Sequence, residues 1–416
     1  SFIERCILAE EEQFLRTLDH GLQMVSDELT QLKGSKELSG EIAFKLYDTY
    51  GFPLDLTALI ARERNFTVDQ KGFETEMLAQ KQRSRKNWKG SGEQSVHEVY
   101  HSIQEQLQSQ PISSKFCGYE LQELTGQCLA VVDLNSDSPQ AVLQAQQGEY
   151  DLIFDETPFY AESGGQQADH GNISSESATA QVIDVQKHVT DQIAVRIKMQ
   201  SGNIKQGDNL HQKVDVHRRA LIKRNHTATH LLHDALRRRL GDHIKQAGSL
   251  VTPDLLRFDF NHFSALSPAE VSAIEDDVND QIWAHHPVKV QEKTKDQAVK
   301  DGAIAFFGEK YGDKVRLVEA GIHSVELCGG THVTDTTDIQ LFRIVTESAI
   351  AAGTRRIVAY TSKNAFEFLR NRDFESRQVR ELFKANSTDE LLQRIEKLQE
   401  SERTLRKTID QMEGQK

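Results

Sequence analysis

The stretch RNHTATHLL, residues 224–232, carries two imidazoles one helical turn apart in a run of residues that favours a helix. Residues four apart lie on the same face of an α-helix, so the rings of His226 and His230 can reach one point beside that helix. The same spacing also arises by chance on helix surfaces. The pair therefore indicates a metal site only if the rest of the chain supplies further ligands.

A second pair with this spacing stands in VELCGGTHV, residues 325–333. Cys328 and His332 are four apart, and Gly329 and Gly330 between them let the backbone fold tightly around a shared centre. Three imidazoles and one thiolate are donors that zinc prefers, and their number matches its usual tetrahedral coordination. Together the two pairs predict a zinc site.

The role of this zinc stays open between two interpretations. Four protein ligands usually mark a closed structural site, which here would fasten a helix to a loop. A catalytic site would polarise a carbonyl group or activate water, and it would need one of the four ligands to be loose. The ligand set alone does not decide between them.

The composition limits the class of protein. The 416 residues suffice for about two to four domains. A net charge of −13 argues against indiscriminate coating of nucleic acid but leaves room for a local basic patch. A mean hydropathy of −0.55 and the lack of a long apolar run argue against a membrane protein. Four scattered cysteines and the lack of a signal-peptide pattern lead us to expect the cytoplasm. The start at Ser1 suggests an excised fragment.

The N-terminal pattern is helical. Leucines and valine spaced three and four apart from Glu11 to Leu32 form one apolar stripe, which predicts a long amphipathic helix. The segment 41–65 then predicts a helix, a break at Gly51-Phe52-Pro53 and a second helix. A charged run near Lys89 to Ser95 predicts a linker.

The remaining segments differ in texture. Short apolar runs bounded by turn residues between Phe116 and Val214 predict an antiparallel sheet or small barrel. The capping-box signature at Ser267 to Glu270 predicts a helix that reaches about Trp283. After Asp373 the chain is expected to be helical, with heptads that suggest a coiled coil or helix docking. We therefore predict an α+β multidomain fold with four regions, at residues 1–95, 96–215, 216–366 and 367–416.

Two further segments bear on binding. The basic run before the histidines contains Arg218, Arg219 and Arg224, which could contact nucleic-acid phosphates. The glycine-rich FYAESGGQQADHG, residues 159–171, has neither the GxxxxGK[ST] nor the GxGxxG pattern, so a nucleotide-phosphate loop is not expected there. On its own, this segment indicates a tight turn between strands.

The motifs taken together resemble the alanyl-tRNA synthetase family. HTATHLL, KQAGSLV, LRFDF and CGGTH, with TPFYAESGGQ upstream, occur in the order of the family's editing domain. KLYDTYGFPLDLT resembles its tRNA-recognising helical part, and FGEKYGDKVRLV, LFRIVTESAIAAGTRRIVAYT and the terminal heptads are also similar. Threonyl-tRNA synthetase carries a similar editing motif, but Tyr50-Gly51-Phe52-Pro53 and the long flanking helices favour the alanyl enzyme. The similarity covers nearly the whole chain.

The resemblance implies a function and a set of site residues. The family's editing domain hydrolyses seryl-tRNA(Ala) and glycyl-tRNA(Ala), because a pocket for alanine cannot strongly reject these two amino acids. His226, His230, Cys328 and His332 match its zinc ligands, and Thr229 and Gln246 match positions that line its pocket. Ser163, Gly164, Gly165 and Gln166 match the bordering loop and are expected to bind the substrate or tRNA, although Ala168 replaces a usual glycine. Without the resemblance, Thr229 would be an ordinary buried helix threonine and Gln246 a surface amide.

The resemblance also bears on the outer parts of the chain. Asp55 lies in a segment associated with reading the acceptor stem, although it could equally be a helix N-cap. Zn²⁺ is the implied cofactor and tRNA(Ala) the implied partner, and the C-terminal helix could mediate self-association. The family's aminoacylation core and C-terminal domain are not recognisable here. The alternative function is a non-catalytic tRNA-binding module with a structural zinc.

Overall fold

The computed structural model describes residues 2–32, 36–87, 98–108, 114–136, 138–189, 192–303, 314–351 and 353–413, which form a mixed α/β fold. Among these residues, no helix combines the length and the apolarity that crossing a lipid bilayer requires. The linker predicted near Lys89 to Ser95 lies outside the described residues.

The N-terminal region is helical, as predicted. Its elements are α1 (Phe2–Gln31), β1 (Glu37–Leu38), α2 (Gly40–Tyr50), α3 (Leu54–Glu63), β2 (Thr67–Val68) and α4 (Gln70–Asn87). Gly51 ends α2 in the left-handed conformation at φ 68°, and Pro53 precedes α3, so the predicted break is confirmed. Val25 and Leu29 of the predicted stripe are buried against Phe52.

A six-stranded antiparallel barrel follows, which confirms the predicted barrel. Helix α5 (Glu98–Gln108) covers one side of it through the buried residues Tyr100 and Ile103. Strands β13, β9, β10, β11, β7 and β4 pair in that order, and β13 pairs back with β4 to close the barrel. The strands are β3 (Lys115–Phe116), β4 (Glu123–Asp133), β5 (Gln140–Val142), β6 (Gln144–Ala145), β7 (Glu149–Phe154), β8 (Glu156–Thr157), β9 (Gly171–Ser174), β10 (Thr179–Gln186), β11 (Ala194–Ser201), β12 (Ile204–Lys205) and β13 (Asn209–Val214).

The next region packs helices on two antiparallel sheets. One sheet has the order β14-β15-β20-β19 and the other β16-β17-β18. The capping box at Ser267 and the helix that it begins, ending at Trp283, are confirmed. The elements are α6 (Val216–Leu240), β14 (Gln246–Val251), β15 (Leu256–Asn261), α7 (Pro268–Trp283), β16 (Lys289–Thr294), α8 (Lys295–Lys300), β17 (Lys314–Ala320), β18 (Ser324–Leu327), a 3-10 turn (Thr336–Ile339), β19 (Phe342–Ala351) and β20 (Thr354–Thr361).

Two helices end the described chain, α9 (Ser362–Leu382) and α10 (Thr388–Glu413). The helical stretch begins at Ser362, so the prediction that it begins after Asp373 was wrong. It starts earlier because α9 continues directly from β20, with buried Ala365 in its first turns. The predicted heptad residues lie on α10, which runs without a break through Glu402.

Candidate metal centre and cavity

Four side chains from two distant segments meet in the region after the barrel. His226 and His230 project from α6, and Cys328 and His332 come from the loop after β18. One ligand atom of each lies within 4.8 Å of all the others, and the Cys328 Sγ is 3.3 Å from Nε2 of both His226 and His332. Zinc–ligand lengths of about 2.0 and 2.3 Å give about 3.5 Å between such atoms in a tetrahedron. The cluster therefore has the size of a tetrahedral metal site.

Burial keeps the three imidazoles in the form that binds metals. His226, His230 and His332 are each almost entirely buried. Desolvation is the main cause that lowers the pKa of each, and the neighbouring histidines and Arg316 lower the pKa of His226 and His332 further. A neutral imidazole has a free nitrogen lone pair, which a metal ligand needs.

The hydrogen bonds of His226 leave its Nε2 atom free for the centre. Its Nδ1 is 2.7 Å from Oε1 of Gln166. That oxygen also accepts from the backbone N–H of Thr331, which identifies it as the amide oxygen. His226 Nδ1 must therefore donate a proton to Gln166. Such partners fix the tautomer and the ring orientation of metal-binding histidines.

His332 Nδ1 makes a comparable hydrogen bond, whereas His230 Nδ1 lies near a carboxylate without a hydrogen bond to it. Thr227 Oγ1 donates to the carbonyl of Lys223, so it can only accept from His332 Nδ1 at 3.1 Å. His230 Nδ1 lies 3.1 Å from Oε2 of Glu326. Each histidine thus turns Nδ1 toward an oxygen, which directs its other ring nitrogen to the cluster.

Glu326 and His233 join this site without having been predicted. Glu326 is buried on β18, and His233 Nδ1 donates to its Oε1 at 2.7 Å. Burial alone would raise the pKa of Glu326, but the proximity of His230 and the hydrogen bond from His233 lower this pKa overall. The sequence does contain a signal for Glu326. Side chains alternate along a strand, so Glu326, two residues before Cys328, is expected to turn inward.

The loop SGGQ packs against β14. Gly165 has φ +82°, its carbonyl accepts from the N–H of Val251, and a Cβ on it would lie 2.6 Å from the carbonyl of Ser249. Gln166 was predicted to bind substrate, but it is 0% exposed and its amide is occupied by His226 and Thr331. It therefore positions a candidate metal ligand and does not line the cavity.

The Cys-Gly-Gly loop is fixed from two sides. Arg316 Nη1 donates to the carbonyls of Cys328 and Gly330 at 3.1 and 2.7 Å. Tyr119, from the chain before β4, donates its hydroxyl to the Gly329 carbonyl at 2.5 Å, and its ring lies 4.2 Å from the Arg316 guanidinium. Neither residue was predicted. Tyr119 reaches the Gly329 carbonyl only because the barrel region packs on the later region.

A cavity of about 520 Å³ opens beside the cluster. Of the predicted residues, Ser163, Gly164, Thr229 and Gln246 line it together with the ligands His226, His230 and Cys328. Thr229 is buried, and its hydroxyl donates to the Asn225 carbonyl at 2.8 Å. Gln246 is half-buried on β14. The structure therefore brings three of the four candidate ligands and both predicted pocket residues to one cavity.

Arg219, one of the arginines predicted to contact phosphates, does not face solvent. Arg219 is 1% exposed, and its guanidinium donates to the Asp169 carboxylate and to the carbonyls of Gly118 and Pro158. A phosphate cannot reach it, so the prediction for Arg219 was wrong. Its position on the inward face of α6 makes it a buried link to the barrel.

Three other predicted contacts lie nearer the surface. Arg218 is half-buried and donates to the Ala168 carbonyl and to Oε1 of Gln167, and Arg224 Nε donates to the Asp338 carbonyl. Asp55 is exposed at the second position of α3, whereas Pro53 occupies the N-cap, so the N-cap alternative was wrong.

Comparison with known proteins shows the family. A family model described as tRNA synthetases class II (A) matches residues 1–218. Another, described as the threonyl and alanyl tRNA synthetase second additional domain, matches residues 315–358. The second range contains Cys328 and His332, whereas His226 and His230 lie between the two ranges.

Individual relatives align along the whole chain. The alanine–tRNA ligase of Nitratidesulfovibrio vulgaris is 43% identical over 416 residues, 100% of this chain and 46% of that protein. Those of Rickettsia akari and Thermoanaerobacter sp. strain X514 are 42% identical over 410 and 414 residues, 99% of this chain and 46% of each relative. The chain thus spans about half the length of the curated relatives it matches.

The matched helical and barrel region, followed by the second additional domain with its histidine and cysteine cluster, defines a class II aminoacyl-tRNA synthetase chain. With relatives named alanine–tRNA ligase along its whole length, the chain belongs to the alanyl-tRNA synthetase family.

Proposed function

We propose that this chain edits mischarged tRNA, by hydrolysing the ester that joins serine or glycine to the 3′ end of tRNA(Ala). The observation that carries the proposal is a cavity lined by three residues of the candidate metal cluster and by the polar side chains of Thr229 and Gln246. A second, separate site is the chemical remedy when a pocket for alanine cannot reject its close analogues.

Zinc fits the residues of the cluster. His226, His230 and His332 are neutral donors and Cys328 is a thiol that becomes a thiolate on binding, the donor set of protein zinc sites. When bound, zinc would supply positive charge that stabilises the negative charge developing on the ester during hydrolysis. The residues around it hold the substrate and the rings in place.

Thr229 supports recognition of serine. Its proton is donated to the Asn225 carbonyl, so its oxygen can only accept a hydrogen bond from a molecule in the cavity. The hydroxyl of serine can donate to it, whereas the methyl group of alanine cannot. A buried acceptor left without a partner costs about 1–3 kcal/mol. Correct alanyl-tRNA is therefore disfavoured relative to seryl-tRNA. Gln246 can hold the α-amino group or the attacking water through its amide.

A non-catalytic tRNA-binding module with a structural zinc is the second candidate. The specific observation in its favour is that four side chains converge on the centre and could close the coordination shell. In that case the metal would only hold the loop of Cys328 on α6.

Release of the amino acid separates the two candidates. We expect the chain to deacylate Ser-tRNA(Ala) and Gly-tRNA(Ala) faster than buffer does and to leave Ala-tRNA(Ala) largely intact. Cys328→Ala is expected to lose bound metal, measured by atomic absorption, and activity together. Serine release no faster than in buffer would leave only the binding module.

The selectivity test uses Thr229→Val, which keeps the side-chain shape. We expect kcat/KM for Ser-tRNA(Ala) to fall about tenfold, the loss of one hydrogen bond, while Gly-tRNA(Ala) is hardly affected. Thr404→Val is the matched control, because Thr404 makes the same bond to a carbonyl four residues earlier on exposed α10. Equal losses on both substrates would contradict the role of Thr229.

We also propose the surrounding assignments. Residues 1–95 would recognise tRNA, with Asp55 at the acceptor stem, residues 96–215 and 216–366 would form the barrel and the editing core, and residues 367–416 the stem. The exposed loop residues Ser163 and Gly164 would border the aminoacyl end. The cytoplasm as the location, and self-association through the last helix, stay predictions.

A further inference from the structure

Two lysines line the cavity from separate parts of the fold. Lys187 follows β10 of the barrel, and Lys314 begins β17 of the later region. Both are exposed. Among the described residues, neither ammonium group lies within ion-pair distance of a carboxylate, although charged side chains elsewhere in the chain form many such pairs. The cavity therefore carries two lysine side chains that have no ion-pair partner within the described part of the chain.

The other groups of the cavity do not neutralise this charge. The carboxylate that lines it is Glu326, which is buried and faces His230 and His233. Arg316 adds a third positive charge. The protein as a whole has a net charge of −13, so a positive opening is a local feature. Such a concave positive site concentrates polyanions.

The backbone beside Lys187 is anchored. The His188 ring stacks on the Tyr100 ring of α5 with centroids 3.9 Å apart, and its Nε2 lies 3.4 Å from Oδ2 of buried Asp151. The same carboxylate accepts from the hydroxyl of Tyr100 and from Arg196. This buried network, which the cavity chemistry does not use, holds Lys187 at the cavity without touching it.

The size of the cavity indicates where phosphates would lie. About 520 Å³ is within the usual range of about 300–1,000 Å³ for sites of small molecules, so it suits one aminoacylated nucleoside. The phosphodiesters that precede this nucleoside must then lie at the opening, where the lysines are. The arginines predicted for this task, Arg218, Arg219 and Arg224, already donate to protein oxygens.

We propose that Lys187 and Lys314 bind backbone phosphates of the single-stranded 3′ end whose terminal nucleoside enters the cavity. The inference deepens the proposed editing function and rests on it. The two lysines act as phosphate contacts from the barrel and from the editing core, so the strand bridges these two parts.

The test measures deacylation of Ser-tRNA(Ala) over a series of KCl concentrations. Lys187→Ala and Lys314→Ala are each expected to raise KM about three- to tenfold at low salt with kcat unchanged. Each should also reduce the slope of log KM against log [KCl] by about 0.7, the value for one phosphate contact on a single strand. Lys198→Ala on β11 and Lys289→Ala on β16 are matched controls, because both lysines are exposed in the same sheets away from the cavity lining.

A substrate without phosphates tests whether the two lysines act through phosphate contacts. 3′-O-seryl-adenosine should be hydrolysed equally by the wild-type protein and both lysine variants. The proposal is overturned if the double variant keeps the wild-type KM and salt slope, or if both variants slow seryl-adenosine as much as Ser-tRNA(Ala).

Failure of the editing function would be seen separately, as no serine release by the wild-type protein. The lysines are then judged by fluorescence anisotropy with an acceptor-stem hairpin that carries a non-hydrolysable 3′-seryl amide. Weaker binding and a smaller salt slope in the lysine variants support the phosphate contacts, and unchanged values overturn them.

Discussion

At the scale of single residues, Gly330 determines how closely the Cys-Gly-Gly loop approaches α6. A Cβ built on Gly330 would lie 1.9 Å from Cε1 and 2.4 Å from Nδ1 of His226. On Gly329 the nearest atom would be the Tyr119 hydroxyl, at 4.0 Å. Only the second of the two neighbouring glycines is therefore required by the position of a candidate metal ligand.

We expect Gly330→Ala to displace the His226 ring and to lower zinc affinity at least tenfold, since movement of one ligand or its hydrogen-bond partner typically costs about 10–100-fold. Gly329→Ala is the matched control and should bind zinc as the wild type does. Competition with a chromogenic chelator measures both. Equal affinities in the two variants would show that the loop can retreat from His226 at no cost.

The clustering of the four candidate ligands could be predicted from the sequence, but the contacts that hold them in place could not. The spacing of His226 and His230 fixes their common face through helix geometry alone. Gln166 reaches His226 across 60 positions of the chain, and this contact exists only after the SGGQ loop has packed on β14. Sequence patterns do not indicate such a contact, so Gln166 was predicted to bind substrate instead.

At the scale of elements, α6 places the neighbouring residues Arg218 and Arg219 in different environments. Neighbouring residues of a helix point about 100° apart, so Arg218 and Arg219 cannot share an environment. Arg219, Ile222, His226 and His233 follow one another at three-, four- and seven-residue steps on the buried face. A run of basic residues before the histidines therefore indicated charge, but not which of the charges meets solvent.

Helix α10 exposes apolar side chains at heptad spacing. Leu398, Leu405 and Met412 recur every seven residues and are 59%, 61% and 65% exposed, a stripe that a second helix could cover. We expect the molar mass from light scattering to rise with concentration. Leu398→Lys with Leu405→Lys should return it to that of a monomer, whereas Leu143→Lys, at an exposed barrel leucine, should not. A monomer mass at every concentration of the wild type would exclude association through this helix.

At the scale of the whole molecule, the barrel and the core of the region that follows it meet at Arg219. Its guanidinium joins α6 to the Asp169 carboxylate and to carbonyls of the barrel region. Asp169 follows Gln166 by three residues, so the link holds the segment that positions His226. The placement of barrel and core was not predictable, because it depends on buried polar contacts between residues 50 to 101 positions apart.

Substitution of Arg219 tests this link between the barrel and the core of the region after it. Arg219→Met leaves the buried Asp169 carboxylate without its cation, and losing one partner of a buried ion pair typically costs about 3–5 kcal/mol. We expect a lower melting temperature, and also weaker zinc binding although no ligand has changed, because the segment of Gln166 loosens. Arg238→Met on the same helix is the control, since its ion pairs with Asp234 and Asp277 are partly exposed and worth about 1 kcal/mol or less. If Arg219→Met melts earlier but binds zinc with unchanged affinity, the barrel stabilises the core without positioning the metal ligands.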